Sequence, residues 1–316
     1  MRGYTVEIRW HPGFELVVSL ESYMRAKVHK VADLGAPWRA QVRQGLPKDL
    51  ANRLDSISGM RDVGLLLETA HCLAWLCPSE TYAVEDFLRW ASDADVQALG
   101  CAVAKLAGPA EQSQSRIEEM RDRTVVLLRE WHRHYFSQID TGILTGLSNE
   151  ARRQGQRVST TDPELLVEEL SGGIVLKPAP SFSRVLMAPQ YHARPWNLNS
   201  VSMGVCYLLY PAEVLAAADG DPPIRLVRLA KALDDRSRLR ILRLVAEEPL
   251  SLTEIAKRMN LTKPTVHYHL VLLRAAGLLR VQTSFSRRLD GRYFLRRSAL
   301  SDLSQDLESF LGGVDV

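Results

Sequence analysis

In residues 63–76, VGLLLETAHCLAWL, and 115–139, SRIEEMRDRTVVLLREWHRHYFSQI, apolar side chains return at helical intervals. That texture runs from about residue 14 to 148, broken at GAPW (35–38), CPSETY (77–82) and AGPAEQSQS (107–115). Ahead of it, YTVEIRW (4–10) alternates apolar and polar positions, the period of a short strand. Behind it, NEARRQGQRVSTTDP (149–163) is polar throughout and reads as a loop. GGIVLKPA (172–179), SRVLMAPQYHA (183–193) and SMGVCYLLYP (202–211) are β-rich runs separated by Pro, Asn and Ser, and predict strands of one small antiparallel sheet. AADGDPP (217–223) then interrupts every pattern. The expectation is an α+β domain over 1–220, mainly helical with a small antiparallel sheet, followed by a second domain over 221–316.

The second domain carries denser signals. IRLVRLAKAL (224–233) has helical spacing. Asp234 or Asp235 can N-cap RSRLRILRLVAEE (236–248), whose Leu239, Leu242 and Val245 fall on one face. Ser251-Leu-Thr-Glu254 is a capping box opening a short helix at 252–259. Asn260 stands where the chain must turn left-handed. Thr262 caps a further helix with Pro264 in its first turn, where a missing N–H costs nothing. Ala256 is small at the helix crossing, and Ile255, Met259, Leu261, Val266, Leu270 and Leu273 fill the shared core. This is a helix-turn-helix in register, which places the N-terminal turn of its second helix on base edges in the major groove. Gly277 ends that helix, and LLRVQTSF (278–285) and RYFLRR (292–297), joined through Asp-Gly, form a hairpin. Arg287, Arg288 and Arg292 at its tip suit phosphates or a minor groove. SALSDLSQDLESFL (298–311) is amphipathic and reads as a dimer contact.

Charge sharpens the picture. The net charge of +3 combines −4 over residues 1–223 with +7 over 224–316, and +11 if the count stops at Leu300. A basic segment this concentrated is the footprint of a polyanion binder. At 316 residues, 46% hydrophobic and 24% charged, the chain has the balance of a globular protein with room for two cores. No apolar run approaches the roughly 18 residues that span a bilayer. The start, MRGYTVEIRWHPGFELVV, carries charges and a proline where a signal peptide needs an apolar stretch, so a cytoplasmic protein without a membrane partner is expected. Cys72, Cys77, Cys101 and Cys206 are too few for a disulfide framework and show no zinc-ligand spacing.

The run RLAKALDDRSRLRILRLVAEEPLSLTEIAKRMNLTKPTVHYHLVLLRAAGLL resembles the winged-helix regulators of the ArsR type. The resemblance rests on Asp235, Arg238, Ile241 and Leu242, then Val266, His269, Leu270, Leu273, Ala276, Gly277 and Leu278, and covers about 224–310. It implies a C-terminal winged helix-turn-helix domain in a homodimeric, sequence-specific transcription regulator, a repressor in the first instance, with double-stranded DNA as partner. Carried over by position, Thr262, Lys263, Thr265, His267 and Tyr268 would face the DNA, with Arg287, Arg288 and Arg292 on the wing. Metal-sensing members of that type carry Cys-x-Cys where this chain reads Ser251-Leu-Thr253, or Asp/His sets on the terminal helix, which in this chain reads LSQDLESF. No metal is therefore expected at those two places.

His267 and His269 lie about 200° apart round a helix and cannot share one ion. His267 shares the exposed side of Lys263, whereas His269 falls toward the packed face. His132 and His134 have the same two-residue spacing. No G-x-S-x-G, H-E-x-x-H, P-loop or helix-opening G-x-G-x-x-G occurs, so neither catalysis nor a cofactor is expected. Trp10, Trp38, Trp75, Trp90, Trp131 and Trp196 all fall in the first domain, as core or as walls of a small-molecule effector pocket. The alternative function is an architectural or ligand-sensing DNA-binding protein whose first domain is an interaction module.

Overall fold

In the computed structural model, which describes residues 3–25, 31–60, 62–78, 83–103, 113–216, 220–283 and 291–312, the chain makes two units from interleaved stretches. One consists of Thr5–Gln156 and Phe182–Val214, the other of Met1–Tyr4, Arg157–Ser181 and Leu215–Val316.

The first unit is built round α1 (Pro12–Met24), which is buried on all sides, as expected of a helix with no polar face to offer water. His11 caps it and Pro12 occupies its first turn. α1 packs against α3 (Lys48–Ser58), α4 (Val63–Leu76), α5 (Val84–Ser92) and α7 (Gln114–His134), with α6 (Val96–Val103) against α4 and α7; α2 (Gly35–Gly45) and α8 (Thr141–Arg157) complete the described helices of this unit. Trp131 of α7 is completely buried, and its indole N–H donates to Ser19 Oγ of α1 at 2.9 Å.

Strand β1 (Thr5–Ile8) joins β3 (Arg184–Gln190), β4 (Leu198–Ser202) and β5 (Val205–Pro211) in a sheet of order β1-β3-β5-β4. The antiparallel sheet expected from the sequence is instead mixed: β1 with β3 and β3 with β5 run parallel, and only β4 with β5 is antiparallel. The reason lies within the run 202–211. Met203 (φ 50°) and Gly204 (φ 74°) form a tight turn inside it, which makes β4 and β5 a hairpin. β4 lies on the outer edge, so β5 lies parallel beside β3. β3 and β5 are buried along almost their whole length, as central parallel strands are.

Two further expectations change. The stretch expected as a loop at 149–163 continues α8 as far as Arg157, held by Arg152–Asn149, Arg153–Glu150 and Gln154–Glu150 side-chain bonds one turn apart. The strand expected at 172–179 is β2 (Ile174–Leu176), which pairs with a strand of the winged unit and not with β3.

The winged unit contains α9 (Pro163–Leu170), β2, α10 (Ile224–Leu233), α11 (Arg236–Glu247), β6 (Leu250–Ser251), α12 (Leu252–Met259), α13 (Lys263–Ala275), β7 (Leu279–Thr283), β8 (Arg292–Leu295) and α14 (Ser298–Phe310). Its sheet has the order β2-β7-β8-β6. Ile241, Ile255, Val266, Leu270, Leu273 and Leu278 form the centre of its core, each no more than 1% exposed. Losing one of the leucines to alanine would cost about 2–5 kcal/mol. The fold is α+β, with a mainly helical first part and a winged helix-turn-helix toward the C-terminus. Among the described residues no helix is long and apolar enough to cross a membrane.

Candidate nucleic-acid interface

The helix-turn-helix is positioned from its rear joint outward. Asp235 caps α11 by accepting from the Arg238 N–H at 2.8 Å. Arg238 turns back and donates to the carbonyls of Lys231, Ala232 and Asp234 at 2.7–3.2 Å. One guanidinium thus closes the C-terminal end of α10 while its backbone opens α11. Arg238, Ile241, Leu242 and Val245 form the inward face, and Leu239, expected there, is 49% exposed. A leucine gave way to an arginine because the end of α10 supplies three acceptors. The backbone N–H of Arg238 holds the Asp235 carboxyl below its usual range, with help from the charges of Arg238 and His269.

Both halves of the Ser251/Glu254 capping box are formed: Ser251 N–H donates to Glu254 Oε2 at 2.7 Å and Glu254 N–H to Ser251 Oγ at 3.3 Å. The bond from the Ser251 backbone is also the main reason why the Glu254 carboxyl titrates below its usual range. Asn260 is left-handed (φ 54°, ψ 46°), and the Leu261 N–H reaches the Ala256 carbonyl at 3.1 Å across the turn. This closure fixes the angle between α12 and α13. Ala256, where the two helices cross, is buried.

On α13, Val266, His269, Leu270 and Leu273 face inward. Thr262, Lys263, Pro264, Thr265, His267 and Tyr268 are exposed. The sequence-predicted residues of this helix therefore gather on its N-terminal turns, where a groove would meet them first. Thr262 caps the helix through the Thr265 N–H at 3.4 Å, and the two hydroxyls bond each other at 2.8 Å. That link orders the tip before any ligand arrives. Tyr268 is 55% exposed, a large aromatic side chain held out in water. His269 is 9% exposed, with Nδ1 3.9 Å from Asp235; it belongs to the joint and not to the outer face.

Arg292 is the first residue of β8 and not a tip residue. It donates to the Pro249 carbonyl at 2.8 Å and lies 3.5 Å from Glu254, so its guanidinium is tied to the base of α12. Arg287 and Arg288 lie outside the described residues. A basic row not anticipated from the sequence runs along the outer face of α11: Arg236, Arg240 and Arg243 are all exposed. Their spacing of four and three residues was the available signal.

The first unit contains a buried polar chain. Glu15 accepts from the backbone N–H groups of Tyr191 and His192 at 3.0 and 2.9 Å, and faces His192 Nδ1 at 2.5 Å. His192 Nε2 meets the Tyr135 hydroxyl at 2.7 Å, which also accepts from Trp38 Nε1 at 3.0 Å. One assignment satisfies every member: Nδ1–H donates to Glu15 and the Tyr135 O–H donates to Nε2. Burial pushes the Tyr135 hydroxyl well above its usual range, so it stays protonated and fills the donor role. Trp38, His192 and Trp196 line a small cavity of about 40 Å³ beside this chain; most of the tryptophan surface packs against the core. Among the described residues no three His, Cys, Asp or Glu side chains converge as a metal site.

Residues 233–282 match the family model for a helix-turn-helix domain. Similar solved structures include HlyU from Vibrio cholerae N16961, with 25% identity over 27% of this chain and 90% of that one, and a TM-score of 0.22. Reduced HlyU from the same organism has 26% identity over 28% of this chain and 90% of that one, also with a TM-score of 0.22. Comparison with curated proteins finds no match. The family match and the geometry of α12, the Asn260 turn and α13 agree: the C-terminal part of this chain is a winged helix-turn-helix domain, the kind carried by DNA-binding transcription regulators.

Proposed function

We propose that the protein is a sequence-specific transcription regulator of the ArsR type, a homodimeric repressor that works in the cytoplasm on double-stranded DNA. The observation that carries this reading is the exposed, pre-ordered N-terminal part of α13, with Lys263, Thr265, His267 and Tyr268 on one rigid helix in the most basic segment of the chain. Lys263 supplies phosphate contact, and Thr265, His267 and Tyr268 touch bases or sugars. Arg287 and Arg288 add backbone charge from the wing, whereas Arg292 is engaged with Pro249 and Glu254 and steadies the hairpin against α12; the α11 row contributes to the long-range field.

The dimer reading is supported by apolar side chains left in water on the outermost elements. Ile224 of α10, Leu300, Leu307 and Phe310 of α14, and Leu311 are all exposed, while Arg225 ties α10 to α14 through Asp302 and Asp306 at 2.8 and 3.3 Å. A second copy covering this face would set two α13 helices into successive major grooves about 34 Å apart. The first unit would take a small effector, and Ser251–Thr253 in place of Cys-x-Cys argues against metal sensing at that place on α12.

The test is fluorescence anisotropy on duplex DNA from upstream of the protein's own coding region against a scrambled duplex, at two salt concentrations. Discrimination of about a thousandfold at physiological salt supports a sequence-specific regulator. Equal, salt-sensitive binding to both duplexes would favour the architectural alternative. No binding at low salt would remove α13 as a recognition helix.

A further inference from the structure

The hairpin β7–β8 and the short β6 suffice for a wing sheet, yet β2 seals the outer edge of β7. The Val281 N–H donates to the Gly173 carbonyl at 2.7 Å and the Lys177 N–H to the Thr283 carbonyl at 2.8 Å. Arg280 on β7 meets Glu168 of α9 at 2.6 Å, with the Glu168 side chain 15% exposed. Ile174, Leu176 and, on α9, Leu166 and Val167 are buried, and the Tyr4 hydroxyl donates to the Leu176 carbonyl at 3.3 Å. Gly173 has φ +123°, and a Cβ there would stand 2.4 Å from the Leu279 carbonyl oxygen. Only glycine lets the two strands approach this way.

The chain on either side of this segment belongs to the other unit. α8 leads into it, β3 follows at Arg184, and Tyr4 is bonded directly to Thr5, where β1 begins. A parallel partner cannot be supplied by a hairpin, so β2 reaches β7 on a segment whose two ends are joined to the first unit's chain. The pairing is only three residues long, few enough hydrogen bonds for a modest conformational change to undo.

We propose that α9 and β2 form a brace that sets the wing. With β2 paired on β7 the hairpin is held ready for DNA; a change in the first unit, such as effector binding, acts on DNA affinity by drawing β2 off. Paired and unpaired β2 are the two discrete states that such coupling needs. The inference rests on the winged unit being the DNA-binding part.

The experiment uses the full-length protein and two variants, Gly173→Ala and Glu168→Gln. Amide exchange at Val281 reads the brace itself, and anisotropy on the upstream duplex at several salt concentrations reads DNA binding. Tryptophan emission reads the first unit alone, since all six tryptophans lie there. Both variants should speed exchange at Val281, weaken binding about tenfold and flatten the salt dependence, with emission unchanged. If Gly173→Ala unfolds the winged unit, seen as lost helical circular dichroism, Glu168→Gln decides. Faster exchange with wild-type affinity and salt dependence would reduce β2 to a structural strand and overturn the proposal. So would unchanged exchange in a folded variant. A wild-type protein that binds no duplex would sink the functional reading and this inference together, whereas normal wild-type binding with indifferent variants sinks the inference alone.

Discussion

Arg238 shows how much one side chain can hold. It donates to three carbonyls that end α10, in a place where water has little access. Replacing it with alanine strands those acceptors, and we expect a loss of about 2–3 kcal/mol, read as a lower urea midpoint by circular dichroism while tryptophan emission, silent for this unit, does not move. On the outer face of α13 the expected effects separate by chemistry. Lys263→Ala should weaken binding equally on all sequences and lower the salt slope by about one, whereas Tyr268→Ala should cost about 1–3 kcal/mol on the preferred duplex alone; an equal loss on scrambled DNA would remove Tyr268 from base reading. The caps Ser251 and Thr262, and the α11 cap as one of Asp234 and Asp235, were legible in the sequence because a cap is a local side-chain-to-backbone bond. The role of Arg238 was not, because its partners are carbonyls, and no pattern of side chains announces where carbonyls go unpaired.

Among the elements, α1 carries the clearest pH dependence. His11 accepts from the Gly13 N–H through Nδ1 at 3.1 Å, and its Nε2 lies 2.8 Å from the Ala74 carbonyl. The bond at Nδ1 requires the neutral ring. Burial lowers the pKa of His11 from 6.5 to about 4, partly offset by the Ala74 carbonyl. Between those values the unfolded chain takes up a proton that the folded one refuses. Stability is therefore full above pH 6.5 and falls as pH drops toward 4, by about 3 kcal/mol for this group. Urea titrations followed by tryptophan emission at pH 7 and 5 should show it, and His11→Asn, which keeps an acceptor at the cap and does not titrate, should flatten the difference. The helical texture up to residue 148 and the helices from residue 224 onward could be read from periodicity, as could the succession of capping box, Asn260, Thr262 and Pro264; the last turns of α8 and the whole of α9 were not read. Strand pairing could not. The run 202–211 hid a turn because Met-Gly is a weak turn signal beside so many apolar residues, and IVL at 174–176 gave no hint that its partner lies beyond residue 278.

At the scale of the whole molecule the exposed apolar side chains of α14 make a definite claim. On the proposed dimer, Leu307→Asp with Phe310→Asp should leave the protein folded and shift it to monomer in sedimentation, and operator affinity should fall at least tenfold because each half-site then binds alone; a variant whose oligomeric state does not change would remove this face as the interface. The charge asymmetry was legible from counting residues, and it pointed to the basic third of the chain. The interleaving of the two units was not, since segment 157–181 carries no compositional mark of where it packs. That interleaving bears on how the molecule is made. During synthesis β2 leaves the ribosome before β7 exists, so its hydrogen-bonding edge has no partner until about a hundred residues have followed. A fragment starting near residue 221 would emerge with the opposite defect, a wing whose outer strand is open to any passing edge. The winged unit is thus complete only when a strand from the middle of the chain, β2, pairs with one made about a hundred residues later.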